Sequence, residues 1–195
     1  MPTVVSYKEL NKNNINHIID ILNSGGIIIY PTETVWAIGC SSTNRKSVEK
    51  IYHIKKRVTS SPLISLLENY SEINKYANSK NFDFSKIIKD ELNPPTVIYP
   101  DCKSEMLHLS NSKKEIAFRI TPLTYLKKII SRINSPLAST SANISGEPPP
   151  VNFESISQSI LNSVDLILNF EVNLSGKPSS VIKINQNGEI QFIRK

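Results

Sequence analysis

Cysteine, histidine, glycine, arginine and long apolar runs are all scarce in this sequence. Its 195 residues hold 2 Cys and 3 His. Cys40 and Cys102 cannot build a disulfide framework or a four-cysteine zinc site, and His17, His53 and His108 lack any paired-ligand spacing. A structural metal is therefore not expected. The longest apolar runs, such as Gly26–Tyr30, fall far short of the roughly 20 residues of a membrane span. Met1–Asn14 has no apolar stretch of signal-peptide length, so a cytoplasmic protein without membrane association is expected. Gly is 6 of 195, less than half the usual ~7%. There are only 5 Arg against 18 Lys, with 20 Asn and 28 Ile. Lys, Asn and Ile have A/T-rich codons, so the bias reads as a genome signature, and each surviving Arg and Gly becomes more informative.

What is present is one ordinary domain's length of chain, residues 1–195, with 39% apolar and 21% charged residues. The net charge of +6 suits a polyanionic partner, whether nucleic acid or a phosphate-bearing small molecule; abundant Lys accounts for it equally well. Periodicity predicts helices over Lys8–Asn23, from an Asn44 cap through Lys56, and over Pro122–Ile133, with weaker ones at Ser71–Tyr76, Phe84–Leu92 and Phe153–Leu161. Short β-branched runs predict strands at Ile27–Tyr30 (stopped by Pro31), Val35–Cys40, Leu63–Leu67, Thr96–Tyr99, Glu115–Ile120, Leu137–Ser139 and Asp165–Leu168. Ile182–Ile184 and Glu189–Ile193 flank a turn and predict a closing hairpin. Strands alternating with helices, closed by a hairpin, indicate an α/β fold with a mixed sheet and flanking helices.

Three segments are candidates for chemistry. Pro31-Thr32-Glu33-Thr34 directly follows a buried strand, where open α/β sheets build ligand sites, and offers two hydroxyls; it would equally make a plain turn. Lys55-Lys56-Arg57 closes a helix, where cations meet the helix dipole. In an extended chain Lys55 and Arg57 would also share one side and could grip a phosphate or carboxylate. Ser139–Gly146 packs hydroxyls, an amide and a Gly behind a short strand, as an anion cradle or simply a Ser-rich loop. It is neither a Walker loop nor a nucleophile elbow.

Taken in order, these segments resemble the YrdC-like family. Gly26–Cys40 is similar to its opening signature, and Ile51–Arg57 followed by Pro62-Leu63 to its basic segment. Ala117-Phe118-Arg119-Ile120 resembles its arginine strand, Ser139–Gly146 its Ser-x-Asn loop, and Gly176–Val181 the turn before its last hairpin. The match spans about residues 8–194. The resemblance implies a short-form L-threonylcarbamoyladenylate synthase. Such an enzyme combines L-threonine, bicarbonate (or CO2) and ATP into threonylcarbamoyl-AMP and pyrophosphate, for a downstream transferase complex that modifies tRNA. It implies a twisted sheet around a basic cavity. Thr32, Thr34, Arg119, Ser139 and Ser179 would bind threonine. Lys55, Arg57, Ser61, Ser141, Asn143 and Arg194 would bind ATP. Lys55, Arg57, Ser141 and Asn143 would be catalytic by position and charge, with no covalent nucleophile. Mg²⁺ would come with the ATP phosphates and no protein ligand.

The sequence departs from the family pattern at Ser61, Leu66, Pro149 and the shortened Asn93-Pro94-Pro95-Thr96 segment. An RNA-binding module with weak tRNA contact, or a paralogue of altered activity, is the alternative. No RNP, KH or GXXG signature supports the former.

Overall fold

The computed structural model describes residues 2–6, 11–58, 61–78, 82 and 92–194. The expected helix over Phe84–Leu92 lies outside this set except for Leu92, as do residues 8–10 of the first expected helix.

Asn11 begins helix α1, Lys12–Asn23, because its side-chain oxygen accepts the N–H groups of Asn13 and Asn14, both at 3.0 Å. Asn44 begins α2, Arg45–Ile54, in the same way by accepting from Ser47 N–H at 3.2 Å. Helix α3 is a single turn, Ile73–Tyr76, entered through a 3₁₀ turn at Tyr70–Glu72. Helix α4 runs Thr124–Ile133 and ends where Asn134 adopts the left-handed conformation. The single helix predicted over Phe153–Leu161 is broken. Asn152 caps a 3₁₀ turn at Phe153–Ser155, Ile156 is extended, and α5 covers only Gln158–Leu161. Short polar side chains that bond their own backbone favour such turns over a continuous helix.

Ten strands among the described residues form one sheet. They are β1 Thr3–Ser6, β2 Ile28–Pro31, β3 Trp36–Ser41, β4 Ile64–Leu67, β5 Thr96–Tyr99, β6 Ile116–Ile120, β7 Leu137–Ser141, β8 Leu166–Asn169, β9 Val181–Ile184 and β10 Ile190–Arg194. Their order is β1-β8-β2-β3-β7-β4-β6-β5-β9-β10, with parallel and antiparallel pairs mixed. The α/β fold with a mixed sheet and flanking helices agrees with the sequence. Three details differ. The edge strand β1 was not anticipated. Pro31 is the last residue of β2 instead of the stop beyond it, since it still pairs with Trp36. β7 extends to Ser141 because β3 pairs with it along its whole length, Ala37 opposite Ser141, whereas β4 pairs only with Leu137, Ala138 and Ser139.

One face of the sheet is buried along its length. Ile38, Leu67, Phe118, Val97 and Ile182 from successive strands pack with Val48 and Ile51 of α2 and Ile73 of α3. On the other face, α1 and α4 cover strands from β1 to β4, with Ile18, Leu22, Leu126 and Ile130 meeting Ile28, Leu66, Leu137 and Leu168. That second cluster takes no residue from β5, β6, β9 or β10. Where that cover ends, the same face carries a row of mostly small residues in register, which starts at the margin of the second cluster and runs beyond it: Ala37 opposite Ser141, Ile64 between Ser139 and Ala117, Leu66 opposite Arg119, and Thr96 opposite Val181.

Gly39 sits in β3 where two neighbours approach closely. A Cβ there would lie 2.3 Å from the Ala138 carbonyl oxygen and 2.8 Å from the Tyr30 hydroxyl. Gly39→Ala should therefore destabilise the protein by about 1–3 kcal/mol through overpacking. At roughly 2–4 °C of Tm per kcal/mol for a chain of this size, thermal denaturation will show it. An unchanged Tm would mean that the strand pair yields freely.

Candidate active site

The residues of the small-residue row form the floor of a cavity of about 400 Å³. Thr32, Thr34, Arg57, Arg119, Ser139, Ser141, Ser179 and Arg194 all line it. A second cavity of about 310 Å³ is lined by Lys55, Arg57, Ser61 and Asn143 together with Ser145 and Gly146. Every residue expected to bind or catalyse thus lies in one of two cavities, and Arg57 belongs to both.

Lys55 and Arg57 are brought there by the end of α2. Lys56 takes the left-handed conformation at φ 50°. Its N–H bonds His53 O at 3.0 Å and the Arg57 N–H bonds Tyr52 O at 2.9 Å, the two bonds of a Schellman stop. This reversal, not an extended alternation, exposes Lys56 while turning Lys55 and Arg57 inward. Lys55 is 1% exposed. Its ammonium donates to the carbonyls of Ser141 and, at 2.6 Å, Asn143, and the Ser145 N–H returns a bond to the Lys55 carbonyl at 2.9 Å. Asn143 in turn donates to Ile144 O and Glu147 O, at 2.9 and 2.7 Å. The loop after β7 is therefore fastened to the end of α2 through one buried cation. Arg57 donates through Nε to Ser61 O at 3.0 Å and through Nη2 to Pro62 O at 3.3 Å, so Ser61 contributes its carbonyl to the arginine's placement.

Thr32 and Thr34 occupy the tip of the β2–β3 hairpin. The Thr32 hydroxyl donates to Val35 O at 2.7 Å and accepts the N–H groups of Thr34 and Val35, both at 3.1 Å. Its capacity is largely used in folding the tip, while the Thr34 hydroxyl is engaged in one pair, with the Thr32 hydroxyl at 2.8 Å. Ser139 accepts from the Tyr30 hydroxyl at 2.7 Å, a position that Gly39 leaves room for. Ser179 pairs with the Thr96 hydroxyl at 2.8 Å, and its carbonyl accepts from Arg194 Nε and Nη2 at 3.1 and 2.7 Å. Arg194 thereby clips the segment before β9 to β10. The same segment is fastened to the hairpin tip, where Ser175 N–H donates to Glu33 O and Gly176 N–H to Thr34 O, both at 2.9 Å.

At the floor of the larger cavity, Arg119 Nη2 meets Glu33 Oε1 at 2.7 Å, and Arg119 Nε donates to Pro94 O at 3.0 Å. Both residues are buried, at 4% and 9% exposure. The shortened 93–96 segment still supplies the carbonyl that aims this guanidinium. Burial raises the Glu33 pKa despite the neighbouring Arg119, and burial lowers that of Arg119 despite Glu33, with Arg194 lowering it further. Glu33 was not a candidate from the sequence; its position between two candidate threonines was the only signal. At the other end of the cavity Glu115 pairs with Lys183 at 2.5 Å and accepts from Asn111 at 2.9 Å. The lining therefore carries Arg57, Arg119 and Arg194 against Glu33 and Glu115, a mixed field with a small positive excess.

Burial, with Arg57 nearby, lowers the Lys55 pKa to about 8 from the ordinary 10.5. Between those values the unfolded chain binds more protons at this site than the folded one, so stability rises with pH across that window. Denaturant unfolding of the wild type relative to Lys55→Met should show this rise from about pH 8 upward. A difference that stays flat with pH would contradict the shift.

The chain is similar to known proteins along nearly its whole length. A family model covering Sua5, YciO and YrdC, described as telomere recombination, matches residues 20–195. A threonylcarbamoyl-AMP synthase of Vibrio campbellii is 28% identical over 176 residues, covering 86% of this chain and 92% of that protein. One from Riesia pediculicola is 33% identical over 144 residues, covering 72% and 77%. Among solved structures, E. coli YciO superposes with TM-score 0.81 at 23% identity, covering 100% of this chain and 95% of its own. P. abyssi Sua5 complexed with L-threonine gives TM-score 0.80 at 20% identity, covering 94% of this chain, which spans only 54% of the Sua5 chain. At those identities the structures show a shared fold. A family match over nearly the whole sequence goes further: this chain belongs to the Sua5/YciO/YrdC family.

Proposed function

We propose that this protein is a threonylcarbamoyl-AMP synthase, joining L-threonine, bicarbonate or CO2, and ATP, with release of pyrophosphate. The observation that carries the reading is the placement of Arg57 on the wall shared by the two cavities, with Arg119 at the floor of one and Lys55 beside the other. The reaction must hold three anions close together: an amino-acid carboxylate, a carbamate and a triphosphate. Guanidinium groups fork onto carboxylate and phosphate and keep their charge at working pH. Relatives named threonylcarbamoyl-AMP synthase and a Sua5 structure with L-threonine bound support the assignment.

In this reading Arg119 takes the threonine carboxylate, and Thr34, Ser139 and Ser179 supply hydroxyls around the amino acid, with Thr32 shaping the hairpin tip. Arg57 faces the α-phosphate and the developing carbamate. Lys55 and Asn143 hold the Ser141–Gly146 loop, whose polar groups, with Ser61 and Arg194, border the nucleotide. The carbamate oxygen attacks the α-phosphorus and pyrophosphate leaves. The protein contributes proximity and preorganised charge, with no covalent nucleophile. Mg²⁺ would ride on the ATP phosphates and neutralise part of their charge. The product is an activated acyl group for a transferase that modifies tRNA. No helix among the described residues is long and apolar enough to cross a membrane.

Purified protein should release pyrophosphate from ATP only when L-threonine and bicarbonate are both present. Equal release with serine, or with no amino acid, would refute the assignment. Arg57→Lys keeps the charge but loses the fork, and should lower turnover at least about tenfold, or roughly 1.4 kcal/mol. Unchanged turnover would reduce Arg57 to a helix-end cation.

A further inference from the structure

Glu33 is the buried charge that the proposed reaction leaves without a task. A carboxylate at the floor of a cavity built for anions is unexpected, because it repels every substrate group that Arg57 and Arg119 attract. Its placement makes sense for a substrate that brings both charges. Threonine arrives as a zwitterion. Removing one partner of a buried ion pair leaves an uncompensated charge, whereas replacing the pair by two crossed pairs leaves none. An α-carboxylate on Arg119 and an α-ammonium on Glu33 would preserve that balance over the 2.7 Å that now separates the two side chains.

We infer that Glu33 receives the α-ammonium of the amino-acid substrate and takes its proton, freeing the nitrogen to attack CO2. The inference rests on the synthase reading and deepens it. The step balances with bicarbonate as the carbon source. The Glu33 carboxylate accepts one N–H proton and passes it to the bicarbonate hydroxyl, whose C–O bond breaks to release water and CO2. The nitrogen lone pair forms the C–N bond as one C=O pair moves onto oxygen. The second N–H proton leaves to water. Ammonium and bicarbonate thus become carbamate, water and one released proton, with no redox change.

The surroundings suit a proton acceptor. Arg119 of β6 faces the carboxylate directly, and Arg194 of β10 acts on Arg119. Tyr30 of β2 and Tyr125 of α4 lie close enough to feel the Glu33 charge, and burial holds both phenols protonated. The Tyr125 hydroxyl donates to the Pro31 carbonyl and that of Tyr30 to Ser139, so neither competes for the proton. The Ser175 N–H fixes the Glu33 backbone by its bond to the carbonyl at 2.9 Å. Burial keeps the Glu33 pKa above the ordinary carboxylate value, which brings it closer to that of an amine. The other carboxylate of the cavity, Glu115, is engaged with Lys183 and Asn111 at the far end.

The test is threonine- and bicarbonate-dependent pyrophosphate release by Glu33→Gln and Glu33→Asp between about pH 6 and 9.5, with melting temperatures recorded alongside. Glu33→Gln should lose at least about 100-fold in kcat at neutral pH, with a smaller change in KM for threonine. The deficit should shrink as pH rises and more threonine arrives as free amine. Glu33→Asp should retain most of the rate and the wild-type pH profile. Should Glu33→Gln fail to fold, the wild-type kcat/KM for threonine, followed down to about pH 4, decides: it should fall on the acid side as Glu33 gains its proton. A Glu33→Gln rate within a few-fold of wild type, a deficit equal at every pH, or a wild-type kcat/KM flat across the acid side would overturn the inference alone. Wild-type protein that releases no pyrophosphate with threonine and bicarbonate would overturn the synthase reading and this inference together.

Discussion

A sheet with two apolar faces must cover both. Here the second face is covered by α1 and α4 only over strands from β1 to β4. At the margin of that cover and beyond it, small or polar residues, including Ser139 and Ser141 of β7, Ala117 of β6 and Thr96 of β5, line the open side. Protein interiors ordinarily close such space with side chains. This one keeps about 400 Å³ open because the residues on its floor are too short to fill it. The fastenings described above follow from that opening. The hairpin tip folds on the Thr32 hydroxyl, the loop after β7 on the Lys55 ammonium, and the segment before β9 on Arg194. Each is a connection that would otherwise lie loose over an uncovered sheet.

Charge in this cavity is costly to hold and is accordingly well anchored. Arg119 is aimed by the Pro94 carbonyl and balanced by Glu33, and Arg57 by two carbonyls of the 61–62 turn. A buried guanidinium left without its partner would cost several kcal/mol, so the pair is bound to exchange partners, not to lose one, when an anionic group enters. The same constraint explains why a Lys-rich surface with only 5 Arg places three of them in this lining. A planar fork with five donors can be held by fixed carbonyls and still present a two-pronged edge to a ligand, which an ammonium's three donors do not provide.

Much of this was legible in the sequence. The Asn44 cap, the helical faces of α1, α2 and α4, the strand at Thr96–Tyr99 and the final hairpin all follow from local periodicity and turn chemistry. The motif residues that converge on the cavities were named in order along the chain. What escaped was set by contacts distant in sequence. β1 is a four-residue edge strand whose pairing with β8 spans more than 150 residues. Ser141 joins β7 because it pairs with Ala37 of β3, which lies far away in sequence. The inward turn of Lys55 and Arg57 depends on a left-handed Lys56, a residue type that gives no warning of that conformation. Glu33 sat inside a quoted motif, but only its bond to Arg119, more than 80 residues away, gives it significance.

The most direct test is a crystal structure of the protein with L-threonine at saturating concentration. The expected result is one threonine in the larger cavity, its carboxylate on the Arg119 guanidinium and its amino group on Glu33, with the present Arg119–Glu33 contact opened to admit it. A threonine bound elsewhere, or an empty cavity with the Arg119–Glu33 pair intact, would contradict it.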